Sequence, residues 1–222
     1  MRELLDRVPE VLREPAVKVR ARRLRIALDA LDNRLPGLVV VCEAIERRHN
    51  VSAILRTAEA VGVHEVHLVT NTYKPSKGAA KGAERWLVRR LFETTEQSVA
   101  DLKARGFRVY VADMDERSVP PEEVPVDAPV ALLFGTELTG VTAEAKALAD
   151  GVVSIPMQGV MQSLNVSVAA AISLYSVGRR MRAAGAPVGI EGPERERWLR
   201  EWLRRETVFK RVWEPWMRQP EG

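Results

Sequence analysis

The chain has 222 residues, 46% hydrophobic and 29% charged, enough for one globular domain with modest terminal elaborations. No run of about 18 apolar residues occurs, and the opening M-R-E-L-L-D-R is too charged for a signal peptide, so no membrane partner and a cytoplasmic location are expected. One cysteine, Cys42, excludes an internal disulfide framework; His49, His64 and His67 leave no zinc spacing and no metal is expected; a net charge of +4, mostly arginine, favours an anionic partner.

Residues 16–32 predict a helix with Val17, Ala21, Leu24, Leu28 and Leu31 on one face. Lys18, Arg22 and Arg25 lie opposite, with Arg20 and Arg23 nearby; this face reads equally as solvated surface or as an arm for a polyanion. Pro36-Gly37 ends the leader. From there short apolar runs alternate with helical stretches, the pattern of a parallel sheet covered on both faces. Strands are expected at 38–42, 66–69, 107–112, 130–134 and 152–155. Asn50 is expected to cap a helix over 51–61 that Gly62 stops. Thr94 and Gln97 suggest a capping box for a helix ending at Gly106. Thr142 starts a short helix to Ala149, and Asn165 caps a long one to about Met181. That last helix is apolar or small nearly all round, which suits burial or a subunit interface. The stretch 185–192, G-A-P-V-G-I-E-G, reads as a linker. Beyond it Trp198, Trp202, Trp213 and Trp216 stand among basic residues, where helical spacing favours packing over base stacking.

Three segments carry chemistry. N-V-S-A-I-L-R-T-A at 50–58 puts Arg56 on the polar side of its helix with Ser52 and Glu59; taken alone it is an ordinary surface arginine. Its position after a strand's carboxyl end, where open α/β sheets build sites, argues for more. In L-L-F-G-T-E-L-T-G-V at 132–141, Gly135 permits a tight turn and close approach of a ligand, as it would in a purely structural turn. The third segment, I-P-M-Q-G-V-M-Q-S-L-N-V-S-V-A-A-A at 155–171, has Met157, Val160, Met161 and Leu164 in an irregular loop. It is too apolar for a solvated turn and reads as a pocket wall whose backbone amides can meet a flat ring by its edge. No G-x-G-x-x-G fingerprint and no P-loop occurs.

In this order, the three segments resemble motifs 1, 2 and 3 of the SPOUT methyltransferases, and their wording is most similar to the TrmH branch of that family. K-G-A-E-R-W at 81–86, after Lys74 and Lys77, resembles the family's glycine-containing loop ahead of a tryptophan. The resemblance covers roughly residues 37–181. It implies a SPOUT α/β fold: a mostly parallel sheet flanked by helices, with a deep trefoil knot over about 130–181. Around this domain, drawn at 37–184, helical extensions are expected at 1–36 and, after the linker, within 185–222. Sequence physics would never propose the knot, since knots are nearly absent from folds.

The resemblance further implies S-adenosyl-L-methionine as cofactor, cradled by the loop 156–163. It would touch Ala112, Gly135, Ile155 and Leu164, mainly through backbone, with Met157 nearby. It implies a homodimer that uses helix 165–181, and methylation of a ribose 2′-oxygen in tRNA, with guanosine 18 of the D-loop as the specific target. Ribosomal RNA, another tRNA nucleotide, or a catalytically silent RNA-binding module are the alternatives. Arg56 is the expected principal catalytic residue. Asn50 would orient it, while Glu137, Ser163 and Asn165 would shape the pocket and hold the ribose or the loops. The family's proposals make this arginine the proton acceptor; because a guanidinium stays charged in proteins, stabilising the developing alkoxide and gripping the adjacent phosphate is the better role. The long N-terminal arm and the tryptophan-rich tail depart from the family pattern, which leaves the choice of RNA to them.

Overall fold

The computed structural model describes residues 1–69, 82–136 and 138–217, with the side chains of residue 84 and of 207–217 excepted. In chain order these form α1 (Arg2–Asp6), a 3-10 turn (Glu10–Leu12), α2 (Arg13–Val17), α3 (Ala21–Asp32), β1 (Leu35–Glu43), α4 (Arg48–Val61) and β2 (Val63–Val69). A second 3-10 turn (Ala83–Arg85) precedes β3 (Val88–Phe92), α5 (Thr95–Ala104), β4 (Arg108–Ala112) and β5 (Val130–Phe134). The chain continues through α6 (Ala143–Leu148), β6 (Gly151–Val153), α7 (Val166–Ala183) and α8 (Gly192–Met217). Two compact units result: 35–188, and the two terminal segments 1–34 and 189–222 together. No described helix is long and apolar enough to cross a membrane.

The larger unit is a six-stranded sheet in the order β3-β2-β1-β5-β4-β6, with every pairing parallel. Side chains alternate along each strand, so one sequence stocks two cores. Leu38, Val40 and Cys42 face α4 and α7 with Val66, Leu68, Leu132 and Phe134. Val39 and Val41 face α5 and α6 with Val109, Val111, Ala131 and Leu133. Each fully buried leucine or valine contributes about 1.5–3 kcal/mol. At Gly178 of α7 the missing side chain lets α4 approach: a Cβ there would stand 2.9 Å from the Val61 methyl.

The terminal unit is helical. Leu24, Leu28 and Leu31 of α3 are buried, and so are Trp198, Leu199, Trp202 and Leu203 of α8. Arg7 bridges Asp29 and Asp32, and Arg195 also reaches Asp32. Trp198 and Trp202 stack with centroids 6.4 Å apart and planes 5° from parallel, so these two pack rather than present faces to bases. The side chains of Trp213 and Trp216 lie outside the described residues.

Several expectations are corrected. The helix over 16–32 is two helices: the chain breaks at Lys18–Arg20, where Arg20 is extended, Val19 turns inward, and Val17 is left 54% exposed. The first strand begins at Leu35 rather than 38, running through Pro36-Gly37. A register irregularity between Leu35 and Val39 absorbs the proline, and pairing with β5 starts only at Leu38. Asn50 is not a cap: α4 starts at Arg48 with Arg47 as N-cap, and Asn50 lies inside the first turn, buried. Gly62 does stop α4, at φ 94°. Strand β3 was not foreseen, because V-R-R-L-F is a half-exposed edge strand with Leu91 outward.

Candidate active site at the carboxyl edge of the sheet

Because all strands run in parallel, their carboxyl ends share one edge. From β1 the chain builds outward to β2 and β3 on one side, and β5, β4 and β6 fill the other, so the topological switch lies between β1 and β5. The register pairs Cys42 with Phe134, which sets Glu43 beside Gly135 at that point. Asn50 follows β1 through a turn in which Ala44 takes the left-handed conformation, φ 49°, rare for a side-chain-bearing residue.

Motif 3 meets motif 1 here. Asn165 Nδ2 donates to Asn50 Oδ1 at 3.2 Å, while Asn165 Oδ1 accepts from the Ser167 amide at 2.9 Å and caps α7. Arg56 is exposed about two turns along α4 from Asn50. It lines a cleft of about 710 Å³ between α4 and α7 with Ile172, Tyr175, Arg179 and Arg182. Three guanidinium groups make that cleft electropositive.

Motif 2 is a tight turn closed by paired backbone bonds, Thr136 N to Gly140 O at 2.9 Å and Gly140 N to Thr136 O at 3.1 Å. Any Cβ on Gly135 would fall 2.1 Å from Gly140 O, so glycine is obligatory. Glu137 lies outside the described residues, as do Lys74, Lys77 and Lys81 of the basic loop.

Ala112 pairs with Val153, and Asp113 N donates to Val153 O at 3.2 Å, bringing the ends of β4 and β6 together. Ser118 and Ser154 hydroxyls share a 2.7 Å hydrogen bond beside them. Ala112, Ile155, Met157 and Leu164 are half-buried, and Ser163 is exposed. Val160 and Met161 are 99% and 71% exposed, so in one chain this part of the loop walls nothing. Among the described residues, no backbone amide or carbonyl of 155–164 is hydrogen-bonded to the rest of the backbone.

Two features of this edge escaped sequence reading. Glu43 is buried and accepts three hydrogen bonds from Thr95 and Thr142. Asp113 is ion-paired with Lys146. The signal for Glu43 was present in V-V-V-C-E, an acid continuing an apolar strand. Elsewhere, burial pushes the Cys42 thiol up to about 12, so it is no nucleophile. Glu65, His67 and Asp101 bring ligand atoms within 4.8 Å of one another, but Arg90 and Arg105 already occupy their carboxylates. This is an ion-pair network.

The family model described as "SpoU rRNA Methylase family" matches residues 37–175. The chain is 43% identical, over 173 residues, to the tRNA (guanosine(18)-2'-O)-methyltransferase of Thermus thermophilus, covering 76% of this chain and 87% of that protein. The crystal structure of the Aquifex aeolicus TrmH/SpoU tRNA modifying enzyme superposes with a TM-score of 0.78 at 31% identity, covering 84% of this chain and 97% of that one. An AdoMet-bound rRNA methyltransferase from Sinorhizobium meliloti superposes at 0.57 and 25% identity, covering 68% and 60%.

Proposed function

The chain belongs to the SpoU rRNA methylase family, and on that premise we propose that it methylates the ribose 2′-oxygen of guanosine 18 in the D-loop of tRNA, using S-adenosylmethionine. The observation that carries the reading is the meeting of Asn50 and Asn165 at the switch point, beside a turn too tight for any residue but glycine at 135. The cofactor fits on the chemistry of the 155–164 loop. Among the described residues, the backbone of 155–164 makes no bond to other backbone groups, next to half-buried Ile155, Met157 and Leu164. Such a lining suits a purine edge and an aliphatic chain.

When bound, the cofactor supplies an electrophilic methyl group. Backbone groups of Gly135, of 138–141 and of 155–164, with Ala112 alongside, would hold it. Arg56 meets the ribose and its neighbouring phosphate with a planar, permanently charged fork. A guanidinium is a poor base, so Arg56 acts by stabilising negative charge on the 2′-oxygen as its proton passes to solvent. Asn50 and Asn165 fix the start of α4 against the start of α7, and so set where Arg56 projects. Ser163 would hold the ribose or the loops around it, the role also expected of Glu137, which lies outside the described residues.

The working form in this reading is a homodimer in the cytoplasm. Val168, Ile172 and Tyr175 recur along α7 with spacings of four and three, and are 45%, 39% and 57% exposed. A second copy laid on this stripe would cover it and close the Arg56 cleft. The segment from β5 through α7 is where the trefoil knot would be tied.

The decisive experiment is to incubate the protein with labelled S-adenosylmethionine and either an unmodified tRNA or a ribosomal RNA transcript, then map the product by mass spectrometry. Methylation at ribose 18 of the tRNA is expected. Methylation of ribosomal RNA alone would overturn the tRNA assignment, and no cofactor binding at all would indicate a silent RNA-binding module.

A further inference from the structure

We infer that Glu43 is a positioning residue that holds the turn ending at Val141 in its cofactor-binding shape, through a buried carboxylate bridging β1, α5 and Thr142, the residue that follows that turn. The inference rests on the methyltransferase reading above.

Glu43 ends β1 and is 2% exposed. It points to the α5 and α6 side of the sheet, as Val39 and Val41 do. Its Oε1 accepts from Thr95 Oγ1 at 2.5 Å and from Thr142 Oγ1 at 2.7 Å, and its Oε2 accepts from Thr142 N at 2.9 Å. A buried carboxylate is costly unless its lone pairs are met, so these three donors also dictate where Thr95 and Thr142 must sit.

Thr142 is the lever. It directly follows Val141, whose Cα, with the Gly140 carbonyl, lies against Gly135 in the space a side chain would fill. Fixing Thr142 therefore fixes the far end of the turn, and the Thr136–Gly140 backbone pair fixes its near end. Thr142 Oγ1 also accepts from the Ala145 amide at 3.1 Å, so one hydroxyl donates to Glu43 while capping α6. Among the described residues, Ala44 is the one non-glycine with positive φ, and it redirects the chain immediately after Glu43 toward Asn50. Glu43 thus sits where motif 1 departs and motif 2 returns.

The test uses E43Q and T142V, with T142S as the conservative rescue, in the full chain. In E43Q an amide nitrogen replaces one acceptor, so either the Thr142 amide or both threonine hydroxyls lose their acceptor. S-adenosylmethionine affinity by calorimetry is expected to fall about tenfold in E43Q and T142V, and less than about threefold in T142S. The KM for tRNA should stay unchanged, and saturating cofactor should restore kcat in E43Q. A merely structural role would lower the melting temperature and kcat together and leave the cofactor Kd alone; that result in a folded E43Q overturns the inference. Should E43Q fail to fold, unchanged cofactor affinity in T142V overturns it equally. Failure of the wild-type protein to bind the cofactor would instead refute the methyltransferase reading itself.

Discussion

Asn165 and Asn50 stand 115 residues apart in sequence and 3.2 Å apart in space, the first donating its amide hydrogen to the side-chain carbonyl of the second. Asn165 uses its other polar atom locally, accepting from the amide and hydroxyl of Ser167 to start α7. The two atoms separate two roles, and substitutions can address each. N165D keeps the capping oxygen and removes the donor to Asn50. It is expected to melt within about 3 °C of wild type while methyl transfer falls at least about tenfold. N165A loses both roles and should also lose about 1 kcal/mol of stability, measured by denaturant unfolding. Wild-type activity in N165D would remove the Asn50 contact from the mechanism.

Arg56 is exposed on α4 and lines the cleft without supporting the fold. R56A should leave the melting temperature and cofactor Kd unchanged while single-turnover methyl transfer drops by about 100-fold or more. R56K should recover little, because a lysine keeps the charge but not the fork. Parallel loss of cofactor binding and turnover in R56A would sink the assignment.

Gly135 and Gly159 predict opposite outcomes for the same substitution. G135A places a methyl where Gly140 O already is, so the turn must open. A cost of about 1–3 kcal/mol and loss of cofactor binding are expected. At Gly159 a Cβ would meet nothing within 4 Å. G159A should fold normally, and thermal melts of the two variants make the comparison.

Tyr175 and Ile172 test the dimer. I172E/Y175E replaces two apolar side chains of the exposed α7 stripe by carboxylates, which a second copy laid there would have to desolvate. The variant is expected to run as a monomer in light scattering and to lose activity. A wild-type protein that is itself monomeric would overturn the dimer.

Glu65 makes acid stability specific. Burial alone would raise its carboxyl, but hydrogen bonds from His67 and Arg105, with the charge of Arg105, hold it down at about 2 against an ordinary 4.5. A depressed carboxylate stabilises the folded state above its unfolded pKa and loses that contribution as pH falls through the folded one. The network should therefore contribute up to about 3 kcal/mol above pH 4.5 and lose it between about 4.5 and 2. Asp101, also lowered by Arg105 and Arg90 against its burial, acts in the same sense. Melting curves of wild type and E65Q should converge on acidification; parallel curves would discount the network.

The buried strands 130–134 and 38–42 were legible because apolar runs bounded by turn residues have few other fates in a covered parallel sheet. The Thr94, Thr142 and Asn165 caps were legible because a side-chain oxygen two or three residues ahead of a free amide is a local matter. Edge strand β3 was not, since half-exposed arginines carry no burial signal. Asn50 was misread as a cap for a related reason: its partner, Asn165, is not a sequence neighbour.

The amino-acid sequence by itself determined the α/β class, the caps at Thr94, Thr142 and Asn165 and the family likeness, because these follow from periodicity, local hydrogen bonding and motif order. Only the tertiary structure decided that Glu43 faces Thr142, that Gly135 admits no side chain, and that Asn165 reaches Asn50. The Glu43–Thr142 and Asn50–Asn165 contacts join residues 99 and 115 positions apart, and strand order, which no local pattern encodes, brings them to one edge, while Gly135 is closed in by the fold of its own turn.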